Sequence, residues 1–147
     1  MSSLITAQPV GTVFNLSNAS YGFVGEHISG AGASISSGGD VDGDGRDDVL
    51  IGAPSNVNKT HLMLSSDIMG RATGALFDLG TEASATFEGE KMVIGGDDAG
   101  RSVASAGDVN GDGKADLLIG APHNDEGQDG DLATTEEGKT YLILSPY

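Results

Sequence analysis

The sequence predicts an all-β protein built from two copies of one repeated unit. Residues 32–54 and residues 100–122 align without a gap, and both copies end in Leu-Ile-Gly-Ala-Pro. Each copy contains strand-length apolar runs that are bounded by Gly, Asn, Asp or Ser, as strands are. No part of the chain sustains a 3.6-residue apolar period over three turns, so the pattern does not predict a helical protein. Glycine supplies 24 of the 147 residues, against ~7% in average proteins, and this favours turn-rich β structure.

The repeat extends beyond this region on both sides, with small changes of length. Two further pairs of segments match, 11–26 with 74–90 upstream and 60–66 with 140–145 downstream. The predicted units are therefore residues 11–73 and residues 74–147, each of about four short antiparallel strands. Four such strands make up the blade of a β-propeller. The second unit also contains an acidic insertion at residues 126–137. Ten apolar strand residues are expected to face neighbouring blades: Ile35, Val49, Ile51, Leu62, Leu64, Val103, Leu117, Ile119, Leu142 and Leu144.

An aspartate-rich loop precedes the Leu-Ile-Gly-Ala-Pro strand in each unit. Oxygen-bearing side chains occupy loop positions 1, 3, 5 and 9, and glycines occupy positions 4 and 6. Glycine takes positive φ at little cost, so the backbone can fold back and offer the carbonyl of position 7. The candidate ligands of the first loop are Asp40, Asp42, Asp44, the Arg46 carbonyl and Asp48. Those of the second loop are Asp108, Asn110, Asp112, the Lys114 carbonyl and Asp116.

Five protein oxygens around one point suit Ca²⁺, which takes six to eight oxygen ligands. Mg²⁺ keeps several waters and fits so dense a set less well. Zn²⁺ prefers His or Cys, and neither lies in the loops. Position 12 is Ile51 in one loop and Ile119 in the other, where an EF-hand has a bidentate glutamate. We therefore expect two calcium sites, one per repeat, that are not EF-hands.

The aspartate loop that runs into a Leu-Ile-Gly-Ala-Pro strand resembles the FG-GAP repeat of integrin α-subunit β-propellers. It is more similar still to bacterial integrin-like repeat proteins. The most specific segment is residues 107–122, GDVNGDGKADLLIGAP, and the similarity covers both repeats. The resemblance implies a calcium-bound propeller blade whose ligands are the ten loop residues named above. Propellers of this kind resemble seven-bladed rings, whereas this chain has material for two blades.

Charge and composition exclude several other classes of function. The formal net charge is −15, which argues against binding to nucleic acids or to anionic membranes. No apolar run approaches the ~20 residues of a membrane span, so no membrane insertion is expected. The first residues lack the basic and apolar regions of a signal peptide. The three histidines, His27, His61 and His123, share no motif with a nucleophile. No catalytic or cofactor-binding residues are predicted, and the protein is not expected to be an enzyme.

The predicted function is a rigid, calcium-clamped scaffold with an adhesive role, whose loops meet another protein or a glycan. Two alternatives stay open: a non-catalytic accessory domain of a secreted enzyme, and a calcium-responsive sensor. Calcium loops of this kind suit extracellular calcium levels, so an extracellular or cell-surface location is expected. Segment 74–90 can complete the first blade, whereas segment 11–26 is a spare outer strand. Head-to-tail self-association, closing a ring, is therefore expected; the alternative is that the chain is a piece of a longer propeller.

Overall fold

The computed structural model describes residue 13, residues 15–90, residues 96–124 and residues 137–145. Most of the predicted acidic insertion lies outside these residues. In chain order the elements are a 3-10 turn at Leu16–Asn18, β1 (Tyr21–Val24), β2 (Ser34–Gly39), β3 (Asp48–Ala53), β4 (Lys59–Met63), α1 (Ser65–Met69), β5 (Ala75–Asp78), α2 (Leu79–Glu82), β6 (Ala85–Glu88), β7 (Ser102–Gly107), β8 (Asp116–Ala121) and β9 (Lys139–Ile143).

Two antiparallel sheets contain most of the strands, which confirms the all-β prediction. Blade 1 is the sheet with strand order β2-β3-β4-β6, and blade 2 is the sheet with order β7-β8-β9. Blade 1 has the expected four strands, and its fourth strand, β6, comes from segment 74–90 as predicted. Within the described residues no fourth strand pairs with β9. The sheets are thus offset along the chain from the sequence repeats.

A third sheet, the parallel pair of β1 and β5, was not predicted. Phe23 of β1 lies opposite Phe77 of β5 in the ladder, and the two rings stack with centroids 5.4 Å apart. Both phenylalanines pack against Ile51 and Met63 of blade 1. Strand β1, which belongs to the spare segment, therefore packs on one side of blade 1.

The central strand β3 is apolar at nearly every position because its sheet is covered on both faces. Strand β8 repeats the pattern, although described residues cover only one face of its sheet. Leu50 and Ile51 point to opposite faces of β3, and both are buried. In β8 the neighbouring blade covers Leu117, which is 1% exposed. A continuous apolar run is typical of such doubly covered strands.

Strands β2 and β7 end in the same irregularity, which directs the chain into the aspartate loops. The register shifts between Ser37 and Gly39 in blade 1 and between Ser105 and Gly107 in blade 2. Gly39 has φ 74° and Gly107 has φ 70°, and residues with a Cβ rarely adopt these backbone angles. A bulge of this kind bends the strand and frees the following residues from the ladder.

The two blades pack through one apolar interface. Val41, Leu50 and Leu62 of blade 1 are fully buried and cluster with Leu117 of blade 2. Phe87 of β6 contacts this cluster and also the cluster around Ile119. The fourth strand of blade 1 is therefore also part of the contact with blade 2.

Three of the predicted core residues are exposed, which corrects the expectation that all ten face a neighbour. Ile35 is 72% exposed, Leu142 is 46% exposed and Leu144 is 48% exposed. Ile35 lies on a face that β1 and β5 cover only around Ile51 and Met63. The face that bears Leu142 and Leu144 has no neighbouring blade within the described residues. The other seven are buried or partly buried against the apolar clusters.

His61 packs inside β4, as its apolar surroundings in the sequence predicted. It is 1% exposed, and its Nδ1 lies 3.0 Å from the Thr86 hydroxyl, while its Nε2 has no hydrogen-bond partner. Burial lowers the pKa of His61 below the ordinary value of 6.5, and the nearby Lys59 ammonium lowers it further. The folded protein therefore holds this imidazole neutral at neutral pH.

Stability is predicted to fall with acidification through His61. The unfolded chain takes up this proton near pH 6.5, whereas the folded chain takes it up only at lower pH. The stabilisation is therefore complete above pH 6.5 and is lost as the pH falls towards the folded pKa. His61→Gln is expected to make the melting temperature less sensitive to pH between about 7.5 and 5.5. His27→Gln, at an exposed histidine, is the control and should keep the wild-type slope; equal slopes in all three proteins would contradict the assignment.

Candidate metal centre

Each aspartate loop turns back on itself through two glycines in the left-handed region. In the first loop Gly43 has φ 82° and Gly45 has φ 84°. In the second loop Gly111 has φ 79° and Gly113 has φ 90°. Residues with a Cβ rarely adopt these values, so the glycines at positions 4 and 6 have the role that the sequence predicted.

The first aspartate of each loop caps this turn. In the first loop Asp40 accepts hydrogen bonds from the backbone N–H of Gly43 at 2.7 Å and of Gly45 at 2.9 Å. Asp108 accepts from Gly111 at 2.6 Å and from Gly113 at 2.8 Å. Such bonds between side chain and backbone hold the loop in one shape and keep the carboxylate inside its curve.

Carboxylates converge in the first loop. Asp40, Asp42 and Asp48 each offer an oxygen, and these oxygens lie within 4.8 Å of one another. Asp44 is not part of this group, because its carboxylate faces the Arg46 guanidinium at 3.6 Å and accepts from the Ser65 hydroxyl at 3.2 Å. Three acidic side chains at this distance form a donor set that fits a hard cation such as Ca²⁺.

Asp48, at position 9, is anchored more firmly than the other carboxylates of the loop. It is 1% exposed, and it accepts from the backbone N–H of Val41 at 3.0 Å and of Ser65 at 2.8 Å. Burial raises the pKa of Asp48, and the charges of Asp42 and Asp44 raise it further against the two hydrogen bonds. A cation beside Asp48 would oppose these unfavourable effects of burial and like charge.

The second loop repeats the anchor but arranges positions 3 and 5 differently. Asp116 is fully buried and accepts from the backbone N–H of Val109 and of Ser145, both at 2.8 Å. The Asn110 amide donates to Asp112 at 2.8 Å, and this bond is the first cause of the lowered pKa of Asp112. In the described part of the chain, only the first loop brings three acidic groups within 4.8 Å.

The backbone carbonyls of Arg46 and Lys114 were predicted as the ligands at position 7. Their N–H groups donate to Asp44 and Asp112, both at 2.9 Å, which places both residues inside their loops. The assignment of all ten ligands stays a prediction.

Two residues that matter to the loops were not singled out from the sequence. Ser65 and Ser145 follow β4 and β9 at matching positions of the repeat, and each donates its N–H to the aspartate at position 9. The Ser145 hydroxyl also donates to the Val41 carbonyl at 2.7 Å, across the blade interface. The alignment of THLMLSS with TYLILS could have identified them, because Ser65 and Ser145 occupy the same position in it.

The two loops lie side by side on neighbouring blades. The backbone N–H of Ala115 donates to the carbonyl of Asp40 at 2.7 Å, which links position 8 of the second loop to position 1 of the first. A Cβ built on Gly39 would lie 2.5 Å from the Ala115 Cβ, so the contact requires a glycine there.

These repeated loops, each with its bulge and following strand, match a known family. The family model described as FG-GAP repeat matches residues 31–61 and residues 99–143, just over half of the chain. The chain belongs to the FG-GAP repeat family. Each matched segment contains one aspartate loop and the strand that follows it. Each also lies inside one of the two predicted units, whose bounds at residues 11–73 and 74–147 stay a prediction.

Several integrin α subunits are similar to this FG-GAP protein over part of their length. Integrin alpha-5 from Xenopus laevis is 34% identical over 121 residues, which are 75% of this chain and 10% of that protein. Integrin alpha-PS2 from Drosophila melanogaster is 38% identical over 88 residues, 58% of this chain and 6% of that protein. Integrin alpha pat-2 from Caenorhabditis elegans is 31% identical over 113 residues, 71% of this chain and 8% of that protein. The chain spans a tenth or less of these curated relatives.

The histidines have structural surroundings in this FG-GAP protein. His61 is packed in β4, His123 Nδ1 lies 3.1 Å from Asp98, and His27 is exposed. In the described ranges no helix combines the length and the apolar character that a membrane span requires.

Without calcium, the aspartate at position 9 is predicted to stabilise the fold much more than the aspartate at position 5. Asp116→Asn leaves one amide oxygen to accept the two partly buried N–H bonds from Val109 and Ser145, so we expect a loss of about 1–3 kcal/mol in EGTA. Asp112→Asn, at an exposed side chain of the same loop, should change stability in EGTA much less. Urea unfolding in EGTA measures both values. If the two variants lose the same stability, the anchoring role of Asp116 is wrong.

Proposed function

We propose that this FG-GAP protein is a calcium-binding β-propeller module that acts as a structural and adhesive scaffold. The observation that carries the proposal is the group of Asp40, Asp42 and Asp48 oxygens within 4.8 Å of one another, held by backbone N–H donors at the bulged end of a blade. The second repeat has the same anchors in the same places, which supports a second site.

The residues that would hold calcium in the first loop are Asp40, Asp42, Asp44, Asp48 and the carbonyl of Arg46. Those in the second loop are Asp108, Asn110, Asp112, Asp116 and the carbonyl of Lys114. Bound calcium supplies positive charge where carboxylates repel one another. The chain's own contribution is to position the oxygens: positions 1 and 9 are fixed by hydrogen bonds to the backbone, and positions 3 and 5 close the loop.

A scaffold is favoured over a calcium sensor by the hydrogen bonds inside the loops. Asp40 and Asp108 each cap their own turn, and Asp48 and Asp116 each join the loop to the residue after the third strand. A loop held in this way has little freedom to change shape on binding. Calcium is therefore expected to stiffen the blades, and the far-ultraviolet circular dichroism should change little on titration.

The adhesive role and the location of the protein follow from similarity and chemistry. The similar proteins named above are integrin α subunits, and we propose a related role in binding a protein or a glycan at the cell surface or outside the cell. Millimolar calcium outside cells suits sites with Kd of about 10⁻⁴–10⁻³ M. Retention on immobilised extracellular proteins and glycans, compared in calcium and in EGTA, tests this role. Equal retention in both buffers would contradict a calcium-dependent ligand contact.

Calcium is predicted to stabilise the protein through both loops. For a Kd near 10⁻⁴ M, ~1 mM calcium adds roughly 1.4 kcal/mol per site to the free energy of unfolding. Thermal unfolding in calcium and in EGTA measures the gain for the wild type and for variants with one site removed. Asp44→Ala and Asp112→Ala should each retain about half of the gain, and the double variant should retain none. A melting temperature that EGTA leaves unchanged in the wild type would refute the proposal.

The first site is predicted to bind calcium more tightly than the second. It has four carboxylates against three and Asn110, and Asp47 adds charge where the second loop has Ala115. Ligand charge is one of the factors that set calcium affinity. The hydrogen bond from Asn110 to Asp112 must also break for both side chains to turn to the ion. Calorimetry on Asp112→Ala and on Asp44→Ala reads each site alone, and equal or reversed affinities would show that ligand charge is not the controlling factor.

A further inference from the structure

The contact between the two blades joins two different surfaces. We call the side of blade 1 that faces blade 2 a trailing face, and the side of blade 2 that faces blade 1 a leading face. The trailing face consists of Val41, Leu50, Leu62 and Leu64. The leading face consists of Val103, Ala115, Leu117 and Ile143. Since the blades are repeats, blade 2 also has a trailing face and blade 1 also has a leading face.

The trailing face of blade 2 has the same apolar character but is uncovered. Val41 and Leu62 are both 0% exposed on blade 1, whereas their repeat equivalents Val109 and Leu142 are 56% and 46% exposed on blade 2. Leu144, the equivalent of Leu64, is 48% exposed. Blade 2 thus presents a surface whose counterpart in the same chain is known to bind a leading face.

The leading face of blade 1 is exposed at β2, the first strand of its sheet. Ile35 is 72% exposed, whereas its equivalent Val103 packs in the blade interface. A Cβ built on Gly100 would meet the backbone of blade 1, whereas one on the equivalent Gly32 meets nothing within 4 Å. Within the described residues the blade pair therefore has an exposed trailing face at one end and, at the other, a leading face that is exposed around Ile35.

Strand β1 lies on blade 1 in the way that β6 lies on blade 2. Phe87 of β6 packs against Ile119 and Ile143 of blade 2, and Phe23 of β1 packs against their equivalents in blade 1. The glutamate two residues after each strand makes the same ion pair, Glu90 with Lys139 at 2.7 Å and Glu26 with Lys59 at 2.6 Å.

This equivalence assigns β1 the position of a fourth strand. Strand β6 is the fourth strand of the blade that precedes blade 2, so β1 is placed as the fourth strand of a blade that would precede blade 1. Its partner β5 takes one edge of β1, and no described strand pairs with the other edge. Strand β9 likewise pairs along only one edge within the described residues.

We propose that the trailing face of blade 2 binds the leading face of blade 1 in a second copy of this chain. In this contact β1 of the second copy completes blade 2 by pairing with β9. The observed pairs Lys59↔Glu88, Thr60↔Phe87 and Leu62↔Ala85 set the register. Transferred by the repeat, they become Lys139↔Val24, Thr140↔Phe23 and Leu142↔Tyr21.

The contact is heterologous, because it joins two different faces. Such contacts close into a ring when the rotation allows, and otherwise run on as filaments. Propellers hold 4–8 blades, so two to four copies of a two-blade chain fit a ring. The proposal rests on apolar faces and strand edges and does not require bound calcium, although Val109 of the trailing face lies within the second aspartate loop.

One residue distinguishes the proposed contact from the internal one. Asp47 stands at the position of Ala115, which packs against Gly39 in the internal contact. Asp47 would therefore place a negative charge beside the second aspartate loop of the partner copy. Asp47→Ala should tighten the assembly for this reason.

Light scattering of the full chain after size-exclusion chromatography tests the proposal. The measurement is made in calcium and in EGTA, so that assembly can be distinguished from calcium binding. We expect a mass two to four times the 14.8 kDa of one chain in calcium. Leu142→Asp should give a monomer that keeps its circular dichroism spectrum. Met69→Asp, at a 59% exposed side chain of α1 outside both faces, is the matched control and should assemble as the wild type does. A wild-type monomer, or an assembly that Leu142→Asp leaves intact, would overturn the proposal.

A pair of charge variants tests the register of β1 against β9. Val24 is 52% exposed and is predicted to lie opposite Lys139 of the partner copy. Val24→Glu places opposite charges across the strands, as Lys59 and Glu88 stand opposite each other in the blade 1 ladder, and should tighten the assembly by up to about five-fold. Val24→Lys should weaken it by a similar factor. Sedimentation at several protein concentrations measures the dissociation constants. If the two charges act equally, β1 does not pair with β9.

Discussion

The arrangement of each repeat depends on one buried carboxylate at position 9 of its aspartate loop. Asp48 accepts one hydrogen bond from the backbone N–H of Val41, at the start of the loop, and another from the backbone N–H of Ser65, which follows β4. Both donors would otherwise be buried without a partner, which costs about 1–3 kcal/mol each. Because the same carboxylate also belongs to the acidic group, the fold and the candidate metal centre share a residue. In the second repeat Asp116 accepts from the equivalent residues, Val109 and Ser145.

The anchor also couples the loop to the contact between blades. Val41 donates its N–H to Asp48, buries its side chain against blade 2 and accepts the Ser145 hydroxyl with its carbonyl. One residue thus belongs to the loop, the interface and the neighbouring blade. A shift of the first loop would be transmitted to the apolar cluster around Leu117, since packed interiors yield little to displacement. Stiffening of a loop by calcium would therefore also stiffen the contact between the blades.

Much of the fold could be predicted from the sequence because each structural pattern occurs in both repeats. The strands and the completion of blade 1 by segment 74–90 follow from matched patterns, and the sheets confirm them. The loop glycines at positions 4 and 6 follow in the same way, while the ten candidate ligands stay a prediction. The parallel pairing of β1 with β5 did not follow, because strand pairing between distant segments leaves no local signal. The exposure of Ile35 and Leu142 was missed for a different reason: a pattern shows which face is apolar, but not whether anything covers it.

Identical sequence in the two repeats does not give identical energetics. Thr60 is fully buried in blade 1, whereas the matching Thr140 is exposed in blade 2, and Val41 and Val109 differ in the same way. In repeat proteins stability is approximately the sum of the repeats and of the contacts between neighbours. Blade 2 has a neighbour on one side only within the described residues, so its loop receives less support than the first. The weaker convergence of its acidic groups is consistent with this difference in surroundings as well as with Asn110. The strength of a calcium site in such a chain is therefore determined partly by the next blade and not by its loop alone.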